Sequence, residues 1–239
     1  MLECRDIVMR FGGVRALDGC SLAAREGEIL GLVGPNGSGK STIINVVTGQ
    51  YAPLGGRIVF RGQDVTGHPP SEICRLGIAR TYQIPRPFRG MTVRENVAVA
   101  CMFGREGHDP ARARAEAGQW LEFTGLERKA AAPVQALTLH ERKFLELARA
   151  LACRPALLLL DEVLAGLTPQ AMEAGIALIR KIHRSGVTIV FVEHVMRAVV
   201  ALAERIVVLN NGAPIADGRS QEVMAHPEVV RAYLGKDYA

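Results

Sequence analysis

The spacing of apolar and polar positions changes from one stretch of the chain to the next. In the first sixty-odd residues, Leu2 to Met9, Glu28 to Val33 and Arg57 to Phe60 are β-rich or apolar, and Gly12-Gly13, Gly27 and Gly55-Gly56 separate them. That pattern predicts strands, with one helix between them from about Lys40 to Thr48. Between Pro85 and Ala152 the apolar residues recur at helical spacing among alanine, arginine and glutamate, which predicts helices over Thr92 to Met102, Pro110 to Phe123 and His140 to Ala152. From Ala156 onward short apolar strands return at Leu157 to Leu160, Thr188 to Val192 and Ile206 to Leu209. They alternate with helices near Pro169 to Arg184 and Val195 to Ala203. Such alternation predicts an α/β core with parallel strands, interrupted by a helical insert.

Composition bounds this picture. A chain of 239 residues with 49% hydrophobic content buries a sizeable core in one large domain or two closely joined ones. The apolar run Ala156 to Leu160 stops at Asp161, and Arg197, Glu204 and Arg205 interrupt the stretch from Val195 to Leu209, so no segment is long enough to span a bilayer. The amino terminus lacks the basic start, apolar centre and cleavage site of a secretory signal, which predicts a cytosolic chain. The five cysteines are scattered without metal spacing and read as reduced thiols. The net charge of +5 comes with arginine clusters that lack interleaved aromatics, so no nucleic-acid partner is expected.

Candidate chemistry begins at Gly34-Pro35-Asn36-Gly37-Ser38-Gly39-Lys40-Ser41, followed by Thr42. The first eight residues fit the G-x-x-x-x-G-K-[ST] phosphate loop, with the strand before it and the helix after it that such a loop requires. Its backbone N–H groups and the helix amino terminus favour the β-phosphate. Lys40 is placed to bridge the β- and γ-phosphates, and Ser41 to offer a hydroxyl to Mg²⁺. Leu157 to Leu160 then runs into Asp161-Glu162, where a parallel sheet opens into its binding crevice. Asp161 is suited to position the metal through water, and Glu162 to polarise the attacking water. Taken alone, this acid pair is also consistent with a solvated strand end. His194, after the strand Thr188 to Val192, reaches the same sheet edge and could contact the γ-phosphate, although a lone histidine is more often structural. Gln83 ends the segment Ile78 to Gln83, where a neutral amide can sense metal or water.

Taken in order, the phosphate loop, Gln83, Leu137 to Arg149, Asp161-Glu162, Ala165-Gly166-Leu167-Thr168 and His194 resemble the motif series of the ABC ATPases over nearly the whole chain. The resemblance implies a P-loop NTPase core with an N-terminal antiparallel β subdomain and an α-helical subdomain insert. The single domain over residues 1–239 then divides into a core of 1–84 and 153–239 and an insert of 85–152. It further implies head-to-tail dimers that sandwich ATP between the phosphate loop of one subunit and the signature segment of the other. Within that scheme Asp161 serves the metal, Glu162 catalyses, Gln83 links the metal site to a transmembrane partner, His194 is the γ-phosphate switch, and Phe11 stacks on adenine. A core phenylalanine is an equally good reading of Phe11 without the resemblance. The signature here is Leu137-Thr138-Leu139-His140-Glu141. Thr138 keeps a hydroxyl for the phosphate across the dimer. His140 replaces a glycine where backbone approaches phosphate, so its side chain obstructs closure unless the ring turns away or donates a hydrogen bond.

Phe11-Gly12-Gly13-Val14, Gly77 to Gln83, Met91 to Asn96 and Val192-Glu193-His194 are similar to the ATPases of branched-chain amino acid importers and related amide or urea systems. In those importers the region of Pro85 to Asn96 grips a coupling helix of the permease; without the resemblance it reads equally well as an ordinary loop before a helix. The function expected is ATP hydrolysis powering an importer. The partners expected are transmembrane permease subunits, a second ATPase subunit, identical or different, and indirectly a substrate-binding protein, with the chain peripheral on the inner face of the membrane. The competing readings are a soluble ABC-type ATPase without a transport role and a weakly active regulatory subunit.

Overall fold

Strand β3 (Ile29–Val33) is buried at every position, as a strand covered on both faces must be. It lies near the centre of a six-stranded sheet ordered β10 (Ala213–Arg219), β9 (Arg205–Asn210), β3, β8 (Thr188–Val192), β7 (Leu157–Asp161) and β6 (Ile78–Arg80). The β9-β3-β8-β7-β6 pairings are parallel, and β10 closes the edge as an antiparallel hairpin with β9. The computed structural model describes residues 1–226 and residue 229; the rest of the domain expected to reach 239 lies outside the described residues.

Because successive side chains of a strand point to opposite faces, the sheet separates two cores. Leu30, Leu32, Leu157, Leu159, Val190 and Val192 face the first. It is roofed by the four-stranded antiparallel sheet β2 (Val14–Ala24), β1 (Leu2–Phe11), β4 (Gly55–Phe60) and β5 (Gln63–Asp64), together with α1 (Lys40–Val47). Ile29, Val33, Leu158, Leu160, Ile189 and Phe191 face the second. Residues of α6 (Pro169–Arg184) and α7 (Met196–Leu202) fill it, with those of α3 (Val93–Phe103), α4 (Pro110–Phe123) and α5 (Leu139–Ala152). The short helix α2 (Pro70–Leu76) precedes β6, and α8 (Ser220–Met224) follows β10.

Local sequence sets the helix starts. Thr92 with Glu95 and Thr138 with Glu141 form reciprocal capping boxes on α3 and α5, and α4 and α6 begin with Asp109-Pro110 and Thr168-Pro169. A buried polar cluster ties α4 to the turn between α5 and β7. His108 Nε2 lies 2.6 Å from Glu116, whose other oxygen accepts from Arg154 at 2.8 Å and from Trp120 Nε1 at 3.1 Å. Among the described residues, no helix is long and apolar enough to cross a membrane.

Candidate nucleotide site

The loop from Gly34 to Lys40 leaves the carboxyl end of β3 and feeds α1, wedged between the β9–β10 turn and β2. Gly212 N–H donates to Ser38 O at 3.0 Å, and Asp18 N–H to Gly212 O at 3.1 Å. Two glycines are required by contact as well as by conformation. At Gly34 (φ 148°) a Cβ would overlap the carbonyl of Leu209, and at Gly39 (φ 106°) it would come 2.7 Å from the carbonyl of Ala16. Lys40 Nζ donates to Gly34 O and Pro35 O, both at 2.8 Å, and to Ser38 Oγ at 3.3 Å. The loop thus holds its own lysine by backbone carbonyls at its start and the Ser38 hydroxyl. Burial pulls the Lys40 pKa down, against the opposing pull of Glu162 and Asp161. Ser41 and Thr42 occupy the first turn of α1.

Asp161 ends β7, two strands from β3 at the same sheet edge. Its carboxylate is buried and pairs with Arg80 at 3.2 Å, and its N–H donates to Thr81 Oγ1. Burial raises the pKa of Asp161 and Arg80 opposes that rise. Glu162 follows in a left-handed conformation (φ 48°), a backbone state costly for a residue with a Cβ. Its N–H donates to Val192 O at 2.9 Å, which ties the ends of β7 and β8 together. Its carboxylate accepts from Gln83 Nε2 at 2.5 Å and lies 3.7 Å from His194 Nδ1. The four residues Gln83, Asp161, Glu162 and His194, spread over more than a hundred positions of sequence, therefore meet at one edge.

Phe11 stands at the tip of β1, partly exposed, with its ring edge-on to Tyr51 at 5.2 Å between centroids. The signature residues stand at the start of α5. Thr138 Oγ1 caps the helix by accepting from Glu141 N and donates to Glu141 Oε2 at 3.1 Å. The His140 ring packs edge-on to Phe144 at 4.1 Å, and its Nε2 is buried without a hydrogen-bond partner. The imidazole thus folds against its own helix, and helix geometry leaves the first-turn amides of Leu139 and His140 without carbonyl partners. Between α2, β6 and α5 lies a cavity of about 200 Å³ lined by Thr48, Arg80, Tyr82, Glu146 and Arg149. A larger cavity of about 1310 Å³ opens at the amino ends of β3 and β9, the opposite edge from the phosphate loop and the edge where parallel sheets do not bind ligands.

Three contributors escaped the sequence reading. Arg80 pairs with Asp161, donates to Asn45 Oδ1 at 2.6 Å and lies over the Tyr82 ring at 4.5 Å. Lys143 and Glu193 both hold the loop after Glu162: Lys143 donates to Glu162 O, and Glu193 accepts from Leu164 N–H. A charged residue on an otherwise apolar helix face, as Lys143 is on α5, was the available signal.

A phosphate loop on a parallel strand, with an acid pair on a nearby strand of the same sheet, defines a P-loop nucleotide-hydrolysing cassette. The family described as ABC transporter matches residues 17–165, and that described as branched-chain amino acid ATP-binding cassette transporter matches residues 213–239. The high-affinity branched-chain amino acid transport ATP-binding protein LivG of Salmonella typhimurium is 40% identical over 252 residues, covering 99% of this chain and 98% of that protein. The chain belongs to the ATP-binding cassette ATPases of ABC transporters. The crystal structure of the ADP conformation of MJ1267, an ATP-binding cassette of an ABC transporter, superposes with a TM-score of 0.88 at 32% identity, covering 99% of both chains. The dimeric structure of MJ0796, a bacterial ABC transporter cassette, matches with a TM-score of 0.82 at 25% identity, covering 92% of this chain and 99% of that one. The α/β fold with its antiparallel β sheet and helices, and the ATPase activity of an ABC importer subunit, follow from this membership.

Proposed function

We propose that the chain powers uptake of branched-chain amino acids or related amides, working as one of two cassettes beneath transmembrane permease subunits and peripheral on the inner face of the membrane. A substrate-binding protein is the indirect partner. The observation that carries the reading is the meeting of Gln83, Asp161, Glu162 and His194 at the edge where the phosphate loop opens. The name of LivG, matched over nearly the full chain, supports the class of cargo.

The donors at this edge fit Mg²⁺: the Ser41 hydroxyl, the Asp161 carboxylate and the amide oxygen of Gln83 are all hard oxygens. When bound, the ion neutralises phosphate charge. Lys40 exchanges the carbonyls of Gly34 and Pro35 for β- and γ-phosphate oxygens, which the loop amides from Asn36 to Ser41 and Thr42 help to hold. Glu162 accepts a proton from the attacking water, with His194 beside the γ-phosphate. Gln83 Nε2, now on Glu162, links that carboxylate to the loop that follows, where Ile84, Phe88 and Met91 are exposed. These apolar side chains support the permease-docking reading of Pro85 to Asn96, with residues 85–152 moving as a subdomain on the core. Phe11 stacks on adenine after parting from Tyr51. Thr138, Glu141 and the α5 amino terminus serve the nucleotide of the second subunit, with the His140 ring folded out of the way.

The test is ATP-driven uptake of leucine into proteoliposomes holding the chain with its coexpressed permease and binding protein. Uptake that requires ATP and is lost with Glu162→Gln supports the reading; uptake unaffected by Glu162→Gln would sink it. ATP hydrolysis without a copurifying permease would favour a soluble ATPase.

A further inference from the structure

Lys143 is an ammonium group almost wholly removed from water on the buried face of α5. Burying a charge is unfavourable unless hydrogen bonds compensate it. Here Nζ donates to Glu162 O at 3.0 Å and to Ala165 O at 2.5 Å. Both acceptors lie in the loop that leaves the catalytic strand. The carbonyl of Glu162 belongs to a residue whose backbone sits in the left-handed region, a conformation that persists only where its surroundings enforce it. Fixing that carbonyl fixes the ψ angle of Glu162, and with it the direction in which the side chain leaves the loop. The buried Glu193, an electrostatic neighbour of Lys143, accepts the N–H of Leu164 at 2.8 Å and directly precedes His194.

Lys143 lies four residues beyond Leu139, the first residue of α5, about 6 Å along the helix axis at 1.5 Å per residue. A rigid helix therefore joins two things. At its amino terminus are Thr138 and the amides assigned above to the second subunit's nucleotide. One turn later is an ammonium clamped on the residue assigned to hydrolyse this chain's own nucleotide. We propose that Lys143 is the positioning residue that couples the two sites of the dimer: movement of α5 on engaging the partner's nucleotide is delivered, through the two carbonyls, to Glu162. Without nucleotide against α5, Glu162 is held in its contact with Gln83. With α5 engaged, it turns to the water. The inference rests on the dimeric ATPase reading and on the role of Glu162.

The experiment uses the assembled two-cassette ATPase and compares wild type, Lys143→Met, Lys143→Arg and Glu162→Gln. It reads kcat, KM, affinity for a fluorescent ATP analogue and Tm. Methionine keeps the apolar stem and removes both donors. A catalytic group displaced by about an ångström loses about two orders of magnitude in rate, so Lys143→Met is expected to lower kcat ten- to a hundredfold while nucleotide affinity stays within about twofold. Lys143→Arg, which can still donate to both carbonyls, is expected to restore part of the rate. If Lys143→Met does not fold, Lys143→Gln carries the test: its neutral amide eases burial, but its shorter side chain cannot reach both carbonyls, and kcat is expected to fall in the same direction. Turnover of the tested variant within twofold of wild type would overturn the proposal. So would a loss in kcat matched by losses in affinity and Tm and unrescued by arginine, which marks a structural lysine. Wild-type turnover in Glu162→Gln would instead overturn the role of Glu162, and the two failures are distinguished within the same assay.

Discussion

The acid at the end of β7 is maintained at some cost to stability. Asp161 is buried, and the side chain that balances it is Arg80, which also reaches Asn45 and stacks on Tyr82. Removing one member of a buried pair strands the other charge. Arg80→Met should therefore lower unfolding free energy by about 3 kcal/mol at neutral pH in denaturant titrations, and adding Asp161→Asn should recover most of the loss. A double variant no more stable than the single one would show that the pair does not carry the effect. Glu193 gives a test in pH. Burial raises its pKa above 4.5, so its ionised form is disfavoured in the folded chain. That penalty is absent below the ordinary glutamate range, grows as pH rises through the folded value, and is complete above it. A glutamine at this position would keep the acceptor for Leu164 N–H without the charge, so Glu193→Gln should raise Tm at neutral and alkaline pH. The advantage should fade toward about pH 4; one independent of pH would contradict this account.

At the scale of elements, the starts of α3 and α5 show how local chemistry fixes geometry. Thr138 caps α5, and Glu141 returns to the Thr138 N–H, a bond that holds the Glu141 carboxyl below its usual range. Thr138→Ala should cost about 1 kcal/mol, with Thr138→Ser close to wild type, read by thermal unfolding. The helices at Pro110 to Phe123 and Pro169 to Arg184 were legible to the residue, because an N-cap followed by proline announces a start. Strand β2 was not legible. Its buried residues Leu17, Cys20, Leu22 and Ala24 lose strict alternation at Asp18-Gly19, and its pairing with β1 carries register shifts. The turn chemistry of α2 and the hairpin strand β10, which has no fully buried position, left no clear period either. Of the site, the phosphate loop and Asp161-Glu162 could be read because their chemistry is contiguous in sequence. Arg80, Lys143 and Glu193 could not, since each acts across a tertiary contact that no local spacing encodes. The packing of His140 on Phe144 likewise needed the folded helix.

On the scale of the whole molecule, the sheet divides the labour. The phosphate loop, acid pair and His194 lie along one edge of it, while Thr138 caps α5 and His140 sits in its first turn. In the proposed dimer a single chain contributes half of each of two sites, so turnover requires two cassettes. Steady-state ATP hydrolysis by the wild-type chain and Glu162→Gln, measured over a range of protein concentrations, decides whether turnover needs two cassettes. Specific activity should rise with concentration as dimers form, and fall at least about a hundredfold in Glu162→Gln with ATP still bound. Specific activity independent of concentration, or undiminished turnover in Glu162→Gln, would contradict this mechanism.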